Sequence, residues 1–202
     1  MFFEIVSANI LPKEGDNNAG APRQRKDMAA TDNAAEQAAH IAEKIRAGKT
    51  TLGIEFGSTR IKAVLIDDNF QTIASGDYSW ASHLEDGLWS YTTEEIWGGL
   101  QSAYASMAND VETAYGEKLT HVGHIGFSAM MHGYLAFDEA GELLVPFRTW
   151  QNTNTSEAHK KLSELFQYNI PERWSIAHLY QAVLNKEEHV SEVAYFTTLA
   201  GY

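Results

Sequence analysis

The chain has 202 residues, no cysteine and a formal net charge of −12 at pH 7 with its histidines neutral. That length holds one good-sized domain or at most two small ones, and the charge argues against a nucleic-acid or anionic-membrane surface. Without cysteine there are no disulfides and no thiolate metal sites, which mildly favours an intracellular setting. No apolar run approaches the roughly 18 residues of a membrane span. Glu4 interrupts the apolar start Met1-Phe2-Phe3 that a secretory signal would need. A soluble, cytoplasmic globular chain is expected.

In chain order, residues 2–11 read as one strand and residues 12–32, rich in Gly, Asn, Asp, Ala and basic side chains, as a linker or loosely docked arm. Asn33 with Glu36 three residues later has the pattern of a capping box and predicts a helix over about 33–47. Its apolar stripe is Ala34, Ala38, Ile41, Ala42 and Ile45, and Gly48 supplies the stop. Gly48-Lys49-Thr50 resembles the tail of a phosphate-binding P-loop. That motif needs glycine where Glu43 stands, a strand before it and a helix after it, so a helix C-cap is the better reading.

Residues 52–67 carry the most informative pattern: an apolar strand ending in Glu55, a Gly57-Ser58-Thr59 turn and a second strand. In the second strand Ile61, Ala63, Leu65 and Asp67 alternate with Lys62, Val64 and Ile66. Such a turn can offer backbone N–H groups and the Ser58 and Thr59 hydroxyls to a phosphate, with Gly57 allowing close approach. Glu55 stands where a carboxylate can hold the magnesium of a nucleotide. An ordinary hairpin is the plain alternative for this stretch taken alone.

Asp67-Asp68-Asn69 make a polar turn into a third antiparallel strand over 70–80, with a kink at Gly76. Residues 83–87 read as a loop and 88–91 as a short strand. Thr92 or Thr93 then caps a helix whose first turn holds Glu94 and Glu95. Its stripe is Ile96, Trp97, Leu100, Ala103, Tyr104, Met107, Val111 and Ala114, with the aromatics read as core. A buried strand is expected over 121–128; His121 and His124 are i and i+3 on it and diverge, so no metal is expected there. Next come a strand over 133–137, a hairpin turn at 138–141 and a returning strand, with His132 placed to form a pocket wall. A polar loop over 147–155 is anchored by Trp150. Helices at 156–166 and 176–184, broken by Ile170-Pro171, and a strand at 193–197 complete the chain.

The opening hairpin, Met131-His132-Gly133 with its Asp-rich hairpin, and the Trp150-Gln151-Asn152-Thr153 loop occur in this order. That combination resembles the N-terminal part of the FGGY carbohydrate kinases, over about residues 52–202. The resemblance implies an α/β domain of the RNase-H-like (actin-like) ATPase fold, with three antiparallel strands, then parallel strands, and helices on both faces. It divides the chain into an N-terminal extension, 1–50, and a partial kinase domain, 51–202, incomplete at its C-terminal side. It implies ATP and Mg2+ as cofactors, with Gly57, Ser58, Thr59 and Lys62 facing the nucleotide and Glu55, in place of the usual aspartate, on the metal side. It further implies Met131, His132, Trp150, Asn152 and Arg173 around a ketopentose or related sugar or polyol. In Trp150-Gln151-Asn152 an amide replaces the family's acid. The general-base aspartate and a second, nucleotide-closing domain are expected beyond Tyr202, so the chain alone is expected to be inactive. The partners implied are a small sugar and the missing C-terminal domain, with no nucleic acid and no membrane, and with room for a homodimer. A non-catalytic sugar-sensing module of the same fold is the alternative.

Overall fold

A computed structural model describes residues 23–202. The strand expected at 2–11 and the first part of the linker lie outside the described residues. The chain divides into two units, Met1–Gln37 and Ala38–Tyr202, and the second carries everything that follows. Helix α1 (Arg23–Arg46) begins before Asn33, so the Asn33–Glu36 pattern is interior to a helix and caps nothing. Residues 23–32 contain Arg, Gln, Lys, Met and Ala but neither Gly nor Pro, and propensity carries the helix through them. It stops as predicted at Gly48, whose φ of 64° is the left-handed value that favours glycine.

Strands β1 (Thr50–Phe56), β2 (Arg60–Asp67), β3 (Thr72–Ser79) and β6 (His124–Ala129) form one sheet in the order β3-β2-β1-β6. β1 and β2 pair antiparallel, as do β2 and β3, while β1 and β6 pair parallel. This is the mixed sheet the resemblance implies. The alternation in β2 holds: Ile61, Ala63 and Leu65 are fully buried and Asp67 nearly so. Their register partners on β1, including Leu52, Ile54 and Phe56, are buried with them.

Helix α2 (Thr93–Tyr115) packs on β2 and β3. Thr92 caps it: Glu95 N–H donates to the Thr92 hydroxyl at 3.1 Å and Thr92 N–H to the Glu95 carboxylate at 2.8 Å. Its buried stripe is Ile96, Gly99, Ala103, Met107 and Val111. Trp97 and Tyr104 lie off that stripe and are exposed rather than core. Gly76 is not a kink but the contact point of this helix, for a Cβ there would collide with backbone atoms of Ala103 and Met107. The irregularity in β3 falls instead at Ile73, where the register steps from Leu65↔Ala74 to Ile66↔Thr72.

Two further expectations change. The 83–87 loop is a hairpin, β4 (His83–Glu85) against β5 (Leu88–Ser90), turning on Asp86-Gly87 with both residues at positive φ. β6 is exposed from His124 to Ser128, not buried: it is the outer strand of the sheet among the described residues, and both its faces are open. Farther on, β7 (Leu135–Phe137) pairs antiparallel with β8 (Tyr195–Thr197). The return after the 138–141 turn makes isolated bridges, Phe137↔Leu143 and Tyr134↔Arg148. Helices α3 (Ser156–Phe166) and α4 (Ser175–Asn185) pack around Leu162, Ile170 and Ala177. Among the described residues no helix is long and apolar enough to cross a membrane.

Candidate functional site

The β1–β2 turn is built by what holds its carbonyl groups. Gly57 O accepts from Trp80 Nε1 at 2.8 Å, Ser58 O from the Tyr91 hydroxyl at 2.8 Å, and Thr59 O from Trp80 N at 3.1 Å. Gly57 N–H closes the turn onto Arg60 O at 2.9 Å. Trp80 stacks on Tyr91 with centroids 4.2 Å apart, and Phe56 and Phe147 flank the pair. Burial pushes the Tyr91 phenol up, so it remains a donor near neutrality. Ser58 and Thr59 are exposed, and their hydroxyls make no hydrogen bond among the described residues. With its carbonyls engaged and the Gly57 N–H spent on Arg60 O, the turn has the Ser58 and Thr59 hydroxyls to offer. Trp80 and Tyr91 were not singled out from the sequence, although the β2–β3 register, Arg60↔Ser79, puts Trp80 beside Thr59.

Glu55 and Lys62 are register partners across β1 and β2, and Lys62 Nζ lies 3.1 Å from Glu55 Oε2. Glu55 Oε2 is buried and makes no hydrogen bond of good geometry. Glu55 Oε1 lies 3.9 Å from where a Cβ on Gly57 would sit, so the carboxylate borders the turn. Oε2 is thus shut from solvent beside the Lys62 ammonium, and Oε1, on the side of the turn, is the Glu55 oxygen that could face a magnesium ion, to which phosphate and water oxygens would supply the remaining ligands. Neither here nor elsewhere among the described residues is a group of three or more His, Asp or Glu side chains arranged to hold a metal, so Glu55 would be the one protein carboxylate on the ion.

A separate cavity of about 350 Å3 is lined by Met131, His132, Trp174, Ser175 and Ile176. The start of α4 clamps the segment before β7: Gly133 N–H donates to Arg173 O at 3.0 Å and the Ser175 hydroxyl to Gly133 O at 2.6 Å. Gly133 sits at φ 112° with the Phe147 ring and Arg148 O against it, a position with no room for a Cβ. Burial, then the nearby Arg173 charge, lowers the His132 pKa, so its imidazole is neutral at pH 7. Met131 and His132 are thus brought together, with Arg173 near His132. Arg173, Trp150 and Asn152 are not in the lining. Trp150 is exposed, and the loop is held by Asn152, whose amide donates to Trp89 O and Thr149 O and accepts from Trp89 N–H.

Behind the cavity lies a polar cluster that the sequence pattern did not disclose. The Tyr134 hydroxyl and His189 Nε2 are 3.1 Å apart, and the Arg148 guanidinium sits 5.5 Å from the Tyr134 ring and pairs with Glu187. His178 of α4 stacks on the same ring at 6.2 Å. It is fully buried, and neither ring nitrogen has a hydrogen-bond partner.

The model of the FGGY family of carbohydrate kinases, N-terminal domain, matches residues 50–182. A gluconokinase of Bacillus subtilis (strain 168) is 29% identical over 124 residues, covering 60% of this chain and 23% of that protein. A xylulose kinase of Klebsiella pneumoniae is 26% identical over 113 residues, covering 56% and 22%. The chain therefore spans less than a quarter of the length of these curated relatives. Among solved structures, a xylulose kinase from Brucella ovis aligns with a TM-score of 0.60 at 17% identity, over 73% of this chain and 32% of that one. A gluconate kinase from Lactobacillus acidophilus aligns with a TM-score of 0.60 at 18% identity, over 73% and 30%. At these identities the likeness is one of fold.

Proposed function

The chain belongs to the FGGY family of carbohydrate kinases, and from that premise we propose that it supplies the sugar-binding and phosphate-facing half of an ATP-dependent sugar kinase. The observation that carries this reading is the β1–β2 turn, with three successive carbonyls tied into Trp80 and Tyr91 and the Ser58 and Thr59 hydroxyls exposed. Phosphoryl transfer asks a protein for charge neutralisation and for in-line placement of the acceptor hydroxyl. In this reading Ser58 and Thr59 receive phosphate oxygens at a turn that Gly57 keeps free of a side chain, and Lys62 adds positive charge. Glu55 would hold Mg2+, whose contribution is neutralising the phosphate charge. Neutral His132, which can donate and accept, orients a sugar hydroxyl. Met131 and Trp174 offer apolar surface to the C–H face of the sugar, and Arg173 borders them. The relatives' names put ketopentoses and sugar acids first among the acceptors to try.

The proposed half-site binds sugar without turning over ATP, because no group in this reading removes the proton of the acceptor hydroxyl. Calorimetry of the chain against xylulose, ribulose, glycerol and gluconate should show binding of at least one. His132→Ala should weaken that binding about tenfold or more, a charge-free hydrogen bond and its packing being at stake. No heat with any of the four would overturn the sugar-site assignment, and sugar-dependent ADP release by the chain alone would overturn the half-site reading. A sensing module of the same fold would bind sugar equally with or without magnesium and nucleotide; the kinase reading has Glu55→Gln weaken magnesium-nucleotide binding and leave sugar binding in place.

A further inference from the structure

We infer that His178 is a positioning residue for the sugar cavity: buried beneath it on α4, it holds the cavity wall in place only while its imidazole is uncharged. The connection is short and physical. α4 carries two cavity residues at its start, Ser175 and Ile176, and His178 two positions later, in the same first turn. Ser175 grips Gly133 O, and Gly133 joins cavity residue His132 to Tyr134. The Tyr134 ring is enclosed by His178, His189, Phe196 and Arg148, and its backbone exchanges two hydrogen bonds with Arg148, at 2.8 and 3.1 Å. Whatever shifts His178 against Tyr134 therefore shifts both sides of the cavity.

A charge on His178 has nowhere to go. Both ring nitrogens are buried without partners. The charged groups acting on it are Arg148, which repels an imidazolium, and Glu187, which attracts one but is already engaged by Arg148 and lies 3.6 Å from His189. Burial first and the Arg148 charge second depress the His178 pKa from 6.5 to about 4. A histidine whose pKa is lowered by packing favours the packed arrangement fully above its ordinary pKa. It loses that contribution as pH falls through the window from 6.5 to about 4. On those values the ratio of packed to opened α4 falls about twentyfold between pH 7 and pH 5.

The test is an NMR titration of the whole chain from about pH 7.5 to about pH 3.5, following the imidazoles and the backbone amides of Gly133, Ser175 and Ile176. These amides should shift with His178 in the native chain. In His178→Phe that component should vanish while the one following His132 stays. The phenyl ring keeps the stack on Tyr134 and removes two unsatisfied nitrogens, so the variant is expected to fold. Should it not, His132→Gln combined with His189→Gln decides, because His189 also touches Tyr134: amide shifts that persist support the proposal, and shifts that vanish overturn it. Amides that follow His132 alone, or titrate identically in His178→Phe, also overturn it. Sugar affinity gives a second arm that rests on the sugar-site reading. It should fall further towards pH 5 in the native chain than in His178→Phe, where only the His132 titration at the sugar remains. A chain that binds no sugar at any pH sinks that reading alone, and the amide titration still decides the role of His178.

Discussion

Asn152 uses its side chain inside the molecule. Its amide nitrogen donates to two backbone carbonyls, Trp89 O and Thr149 O, and its oxygen accepts from Trp89 N–H. An ionised carboxylate cannot donate and would face those carbonyls as a third acceptor, which is a physical reason for an amide at this position. Asn152→Asp should therefore destabilise the chain by about 2–4 kcal/mol, more than Asn152→Ala, in urea unfolding. Equal stability of the Asp variant and the native chain would show that the loop does not depend on this amide. From sequence alone the residue was legible as part of a motif but not as a loop anchor, because its partner Trp89 is 63 positions away. Lys44 was hidden for the same reason. A lysine on the buried side of α1 makes sense only once Asp67 and Asp68 are seen at 2.8 and 2.6 Å from its ammonium group. Burial alone would raise the Asp67 carboxyl, but Lys44 and the Asn69 and Gln71 amides outweigh it and hold it below its ordinary value.

At the scale of elements, helix α2 and the β2–β3 ladder meet with almost no spacing. Gly76 faces the backbone of Ala103 and Met107, and Gly99 lies against Ile61 and Tyr78. Replacing Gly76 by alanine puts a methyl group where only backbone atoms can give way. A loss of about 1–3 kcal/mol is expected, read as a lower midpoint in thermal or urea unfolding with the slope unchanged. An unchanged midpoint would mean that the helix sits farther from the sheet. The elements that were readable are those whose signal is local: alternation in β2, a threonine cap at Thr92 or Thr93, which the structure places at Thr92, and the α3 boundaries, which match the sequence reading at both ends. The Asp86-Gly87 hairpin was equally local and was passed over because its strands have only three residues each. The exposure of β6 was beyond a local reading. An apolar Ile-Gly-Phe run looks buried, and only the strand order makes it an edge.

For the whole molecule, that edge and the net charge act against each other. Ile125 and Phe127 are 55% and 66% exposed on an outer strand, a template for pairing with another chain. The charge of −12 holds copies apart at low salt. Sedimentation at neutral pH should thus show self-association that grows from about 0.05 M to about 1 M salt, as the Debye length shrinks from more than 10 Å to about 3 Å. Phe127→Lys should suppress it, and association that is unaffected by this change would move the contact to another surface. The same global view gives the turn clamp a use in the laboratory. Of the chain's five tryptophans, Trp80 alone is buried, and it is the one bonded to the Gly57 carbonyl. Its emission is shielded from aqueous quenchers while Trp89, Trp97 and Trp150 are open to them and Trp174 is half-buried, so the chain carries a native optical reporter on the back of the turn where phosphate is proposed to sit.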